Sequence, residues 1–185
     1  MKIQYRLITF SLILLISACS GVNPSIRSNS NPTVEFNQYK TFGFFEKLDT
    51  DQRYESLVSQ YLKTATTKEM TQRGFILSND KPDLLINFHS NVESKQYIEQ
   101  YPVSVTGDYY NYRRGLYYDE WVGYRTFVNN YKEGTLNIDI VDRQQNKMVW
   151  EGIAIGQLTE ENQKNLQSTL QKTVSDIFAQ FPAQK

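Results

Sequence analysis

The stretch Gly134-Thr135-Leu136-Asn137-Ile138-Asp139-Ile140-Val141-Asp142 decides the fold. Leu136, Ile138 and Ile140 alternate with Thr135, Asn137 and Asp139. Successive side chains of a strand point to opposite faces, so this is a strand with one apolar face for a core and one polar face for solvent. The reading extends outward on both sides. Upstream, Leu84, Ile86 and Phe88 alternate with Leu85, Asn87, His89 and Asn91 after a start at Pro82-Asp83. Residues 121–131 form another extended segment, with Val122, Tyr124, Thr126 and Val128 on one side. Lys132-Glu133-Gly134 and residues 142–147 read as turns. Three strands of an antiparallel meander are therefore expected, the last running from Met148 through Val149 and Trp150 to Ile155. Gly152 within it marks a bulge or a close backbone approach.

Helical spacing frames these strands. A short aromatic strand over residues 40–46 precedes Asp49, Thr50 and Asp51, all competent helix starters. Tyr54, Leu57, Val58, Tyr61, Leu62 and Ala65 then recur as one apolar stripe, and Gly74 supplies its stop. Residues 75–78 suit a brief strand. Thr159 caps a second helix with Glu160 and Glu161 in its first turn, where negative charge suits the dipole. Its stripe is Leu166, Leu170, Val174, Ile177, Phe178 and Phe181, and Pro182 ends it. The expected fold is α+β: an antiparallel sheet of about five strands with two helices packed on one face.

The first twenty residues give an address. Lys2 and Arg6 precede a short apolar run over residues 7–16, and Ile16-Ser17-Ala18-Cys19 closes it. Basic head, short apolar core and small-residue cut site make a secretory signal, here over residues 1–18. The cut site resembles the bacterial lipobox, which implies lipidation of Cys19, the one cysteine of the chain. Ser20 follows it in place of the aspartate that retains many such proteins at the inner membrane, so the expected address is the outer membrane, facing the periplasm. Residues 19–33, rich in Ser, Asn and Pro, read as a lipidated flexible tether with a coil reach of roughly 20 Å. A single domain over residues 34–182 follows. Cleavage removes Lys2 and Arg6 and no acid, leaving 18 basic against 20 acidic side chains, a net charge of −2. That balance excludes the basic excess of a nucleic-acid binder.

Four segments then carry a family likeness: Phe36-Asn37-Gln38-Tyr39-Lys40-Thr41-Phe42, Pro82-Asp83-Leu84-Leu85-Ile86, Gly134 to Asp142, and Val149-Trp150-Glu151-Gly152, with a closing helix ending Phe181-Pro182. In order and spacing the chain resembles the bacterial lipoprotein family catalogued as domain of unknown function 4136. The resemblance implies an envelope lipoprotein with a small α+β fold and no assigned chemistry. It carries no catalytic residue to this sequence.

The residues themselves point the same way. His89, the sole histidine, shares a strand face with Asn87 and Asn91, and reads as a polar sheet-face residue. Asp139 and Asp142 lie three apart on a strand and so point to opposite faces. Trp150 reads as a large ring covering Gly152. No phosphate loop, zinc spacing or calcium loop occurs, so no enzyme activity, metal or cofactor is expected. The segment of functional character is residues 97–121, a Tyr-rich insertion between strands. Its candidate binding surface is Tyr109, Tyr110, Tyr112, Arg113, Arg114, Tyr117, Tyr118 and Trp121. Tyrosine and arginine are enriched at binding hot spots, and tyrosine rings stack on sugars. Two readings stand side by side: a hairpin extension whose rings pack on one another, or a contact surface for a periplasmic protein or a glycan. The expected function is a membrane-anchored, non-enzymatic binding or structural module of the envelope, with cell-wall or lipopolysaccharide glycan binding as the alternative.

Overall fold

The computed structural model describes residues 23–105, 109–111, 116–118 and 121–182, and side chains outside 104–122. Six strands form one mixed sheet: β1 (Ser25–Ser30), β2 (Thr41–Phe44), β3 (Ile76–Leu77), β4 (Leu84–Val105), β7 (Trp121–Asp142) and β8 (Lys147–Gln157). Their spatial order is β1-β8-β7-β4-β2-β3, and β5 (Tyr109–Asn111) pairs with β6 (Leu116–Tyr118) separately. Three helices accompany them: α1 (Leu57–Gln72), α2 (Glu160–Lys164) and α3 (Leu166–Phe178).

The α+β class holds, and the finer arrangement is corrected. The meander β4-β7-β8 is antiparallel, but β2 runs parallel to both β4 and β3. A parallel neighbour requires a crossover, and α1 supplies it between β2 and β3. The second expected helix breaks at Asn165 into α2 and α3, so the described residues hold three α-helices. Thr159 caps α2 as expected, exchanging bonds with Asn162 in a capping box. Helix α1 is capped by Ser56, not by Asp49, Thr50 or Asp51. Asp51 instead accepts from the Ser56 N–H and the Ser59 hydroxyl. Gly74 (φ 89°) takes the left-handed stop.

Part of the stretch expected as tether is strand. Ser25–Ser30 forms edge strand β1, paired antiparallel to β8 from Ser25 opposite Ile155 to Ser30 opposite Trp150. Its sequence is polar because an edge strand needs backbone bonds more than side-chain burial; Ile26 alone leans on the core.

The core lies between one sheet face and the helices. Leu84, Ile86, Phe88, Ile138 and Ile140 are fully buried, as the alternation requires. Trp150 lies with Phe178 and Phe181 at ring-centroid distances of 5.5 and 5.0 Å. A methyl on Gly152 would collide with Ile177 and the Trp150 ring, so Gly152 marks a close approach. The irregularity of β8 pairing falls instead between Ile140 and Val141. In α1, Leu62, Ala65 and Met70 are buried and Leu57 is exposed, while Tyr54, expected in the helical stripe, lies exposed before the helix begins. Arg73 joins the helices: it pairs with Glu69 at 2.6 Å, donates to the Phe178 carbonyl at 2.7 Å and lies over the Phe178 ring.

Two carboxylates clasp strand ends. Asp83 accepts from the Lys40 and Thr41 N–H groups at 2.8 and 2.9 Å, and those bonds hold its carboxyl below the usual range against its burial. Buried Asp142 accepts from the Tyr39 hydroxyl at 2.9 Å and from the Gln145 N–H at 2.8 Å. Burial, with Asp142 alongside, pushes Tyr39 up to about 12.

Candidate functional site

Strands β4 and β7 are each 22 residues long, roughly 70 Å at about 3.3 Å per residue. They pair without interruption from Leu84 opposite Asp142 to Val105 opposite Trp121. Strand β8 leaves β7 at Glu133, and β2 leaves β4 at Ile86. Beyond Glu133 the pair runs on alone among the described residues, over residues 93–105 and 121–133, for roughly 40 Å. The expected turn at Lys132-Glu133-Gly134 is therefore corrected: these residues are mid-strand. Residues 97–105 and 121, expected within the insertion, are strand as well.

The register fixes which side chains share a face of this ribbon. Ile98 lies opposite Val128, with Val92, Pro102 and Tyr124 on the same face. Lys132 is the one charged residue there. The other face holds Glu93, Lys95, Glu99, Arg125 and Glu133, together with two ring pairs. Tyr97 meets Tyr131 at 5.9 Å and Tyr101 meets Phe127 at 5.8 Å, both edge to face. These are diagonal neighbours across the strand pair. Tyr101 also donates to Glu99 at 2.7 Å, and that hydrogen bond raises its phenol. Lys95 pairs with Glu93 at 2.8 Å. Val92, Tyr97, Ile98, Tyr101, Tyr124, Phe127 and Val128 are all exposed. An isolated two-stranded ribbon is marginal in water, and this one exposes apolar side chains on both faces.

Of the sequence candidates, Cys19, Tyr112, Arg113 and Arg114 lie outside the described residues. Tyr109, Tyr110, Tyr117 and Tyr118 fall on β5 and β6, whose register sets Tyr109 opposite Tyr118 and Tyr110 opposite Tyr117. Trp121 opens β7. Sequence reasoning missed Ile98, Val128, Tyr124 and Phe127 as surface residues. The signal available was an apolar alternation with no second apolar element to receive it.

The outer face of the sheet body is polar. Asn29 and Asn137 donate to Glu151 at 3.1 and 3.2 Å, and Asn87 donates to Asp49 at 2.8 Å. Asp139 sits between Asn87 and Glu151 in register. Its Oδ1 is buried without a partner, and burial and the Glu151 charge raise its carboxyl. His89 is exposed on this face opposite Asn137. Asp142 lies on the other face, as the spacing requires. Trp150 is core. Among the described residues no group of three or more His, Cys, Asp or Glu side chains could hold a metal ion. A shallow cleft of about 380 Å³ lies where Asn23 and Pro24 meet Glu161, Asn165, Lys172 and Asp176.

The sequence profile of a family described as a domain of unknown function, DUF4136, matches residues 26–183. The chain belongs to the DUF4136 family. The match begins inside β1, in agreement with the strand and not with a tether reaching residue 33. A DUF4136 protein from Bacteroides thetaiotaomicron has the same fold, with TM-score 0.53, 16% identity, and coverage of 88% of this chain and 98% of that one. A PDZ domain protein from Parabacteroides distasonis reaches TM-score 0.58 at 19% identity over 91% of this chain. The chain spans only 38% of that longer protein. A PelC dodecamer from Paraburkholderia phytofirmans gives TM-score 0.47 at 10% identity, covering 88% of this chain and 99% of that one. Identities this low speak to fold alone. No curated protein matches the chain. No helix among the described residues is long and apolar enough to cross a membrane.

Proposed function

We propose that this DUF4136 chain is a non-enzymatic binding or structural module of the cell envelope. It is held by lipid on Cys19 at the periplasmic side of the outer membrane, and its projecting ribbon is the contact surface. One observation carries the reading: the strands β4 and β7 continue about 40 Å past their sheet while exposing apolar side chains on both faces. The lipobox order Ile16-Ser17-Ala18-Cys19 supports the anchor. Partners are the membrane, through the anchor, and an envelope component on the ribbon; nucleic acid is not among them.

Two measurements in cells test it. A clickable fatty acid should label the wild type and not Cys19→Ala. Single cysteines at Ile98 and Phe127, in a labelled-anchor background, should react with an impermeant maleimide more slowly in the envelope than in purified protein. A cysteine at His89 should react equally in both. Equal reaction at all three sites would overturn the contact role.

The ring pairs Tyr97–Tyr131 and Tyr101–Phe127, lying on one face, favour a second reading in which the ribbon stacks on cell-wall or lipopolysaccharide sugar. Retention on purified sacculi, lost in Tyr97→Ala with Tyr101→Ala and in Tyr117→Ala with Tyr118→Ala, would establish it. No retention of the wild type would dismiss it.

A further inference from the structure

The register of β1 places the chain entry and the ribbon at the same end of the sheet. Ser25 opens β1 opposite Ile155 of β8, and Ile155 lies opposite Thr135 of β7. The ribbon begins at the next residues, where Glu133 meets Gln157 and β8 ends. The strand β1 then runs away from the ribbon, to Ser30 opposite Trp150. Only residues 19–24 separate the lipidation site from Ser25, and fully extended they span at most about 20 Å. The body of the sheet, residues 135–142, is itself roughly 25 Å long, and the turn at 143–146 adds to it. A body lying between the bilayer and the ribbon would need a tether reaching past that whole length. The short tether excludes it. The ribbon therefore does not stand upright off the bilayer with the body beneath it.

We infer that the occupant of the ribbon is the lipid surface that holds Cys19, and that Ile98, Val128 and Tyr124 meet it. The inference rests on the anchored reading above. Ile98, Val128 and Tyr124 are 66%, 55% and 68% exposed. They share the ribbon face that bears a single charge, Lys132. The opposite face, with Glu93, Lys95, Glu99, Arg125 and Glu133, suits water. Tyrosine is enriched at headgroup depth because its ring is apolar and its hydroxyl wet. Charge and asparagine or glutamine on each face keep the ribbon from spanning, so it rests at the interface. The Tyr-rich residues 109–118 lie at its far end in sequence.

The test uses the mature chain from Cys19, coupled through its thiol to a maleimide-headgroup lipid in phosphatidylethanolamine–phosphatidylglycerol vesicles. Amide hydrogen exchange is compared with the same chain free in solution. Peptides within 93–103 and 124–133 should exchange about fivefold more slowly on vesicles, with α3 unchanged. Ile98→Asp with Val128→Asp, both at exposed positions, should remove that slowing while the body keeps its protection. Equal exchange with and without vesicles would overturn the inference, as would a photo-crosslinker at Ile98 that traps a discrete protein in cells and no lipid. Because the anchor is attached chemically, this result is independent of fatty-acid labelling in cells. A chain that is unlabelled in cells yet protected on vesicles would sink the anchored reading and leave the lipid contact standing. The reverse pair would leave the anchor and sink the contact.

Discussion

Body and ribbon are made of the same two strands in one unbroken register, yet they obey different rules. Over residues 84–88, β4 sends Leu84, Ile86 and Phe88 into a core where all three are fully buried. Past Val92 the same face of the same strand carries Ile98, two-thirds exposed. In the body, burial of one face forces strict alternation, because a one-residue slip would expose every core side chain. In the ribbon no helix among the described residues covers either face, and both faces mix apolar, polar and charged residues. Alternation in a strand thus reports what lies over it, and its loss along a continuous strand locates a surface.

The sharpest way to break that comparison is in the body. Trp150→Ala removes a ring buried against Phe178 and Phe181. It should cost ~3–5 kcal/mol, read as a drop in Tm of roughly 10 °C or more in a thermal melt. A loss below 1 kcal/mol would mean that the aromatic cluster does not organise the body. The second effect is smaller. Replacing residues 94–132 by Asn-Gly, a two-residue hairpin turn, deletes the ribbon and keeps the last β7–β8 pair. The body backbone bond put at risk runs from Leu158 N–H to the Lys132 carbonyl at 2.8 Å, a place the inserted glycine carbonyl takes over. A typical net value is about 1 kcal/mol. Urea unfolding of the shortened chain should show a loss of at most that size. A much larger loss would make the ribbon part of the fold and not an appendage.

Much of the body was legible because its signals are local. Leu136, Ile138 and Ile140 announce their own face, Thr159 its cap and Gly74 its stop. The nearness of Trp150 to Gly152 could be read from their shared parity on one strand. What escaped was set by distant partners. Strand β1 has one core-facing apolar residue, Ile26, and is held by pairing with residues more than a hundred positions away. The parallel placement of β2 beside β4 depends on the crossover of α1, which leaves no mark in a four-residue strand. The ribbon escaped because Lys132-Glu133-Gly134 has turn composition, while the pairing of Glu93 with Glu133 keeps it extended. A hairpin extension with mutually packed rings is one of the two readings of residues 97–121, whereas the exposed apolar residues Ile98 and Val128 carry no local mark of what covers them.

The smallest effect sharpens the comparison on the outer face, which body and ribbon share. Two carboxylates there shift in opposite directions. In the body, burial and the neighbouring Glu151 raise Asp139, whose Oδ1 has no partner. In the ribbon, the hydrogen bond from Lys95 and its charge lower Glu93. A carboxyl raised on folding means that the native state holds its proton more tightly than the unfolded chain does. Its contribution is therefore most favourable below the unfolded value near 3.8 and is lost as pH rises through the raised native value. At pH 7 the ionised Asp139 opposes folding, so Asp139→Asn should stabilise by ~0.5 kcal/mol, at the low end of surface-charge changes. Wild type should close that gap as pH falls toward 4, because only the aspartate gains a proton there. Glu93→Gln removes a solvated ion pair and should leave Tm at pH 7 unchanged, since exposed pairs contribute little. A Tm advantage of Asp139→Asn that stayed constant from pH 7 to pH 4 would place the cause in packing and not in charge. The outer face of the body would then be as freely solvated as that of the ribbon.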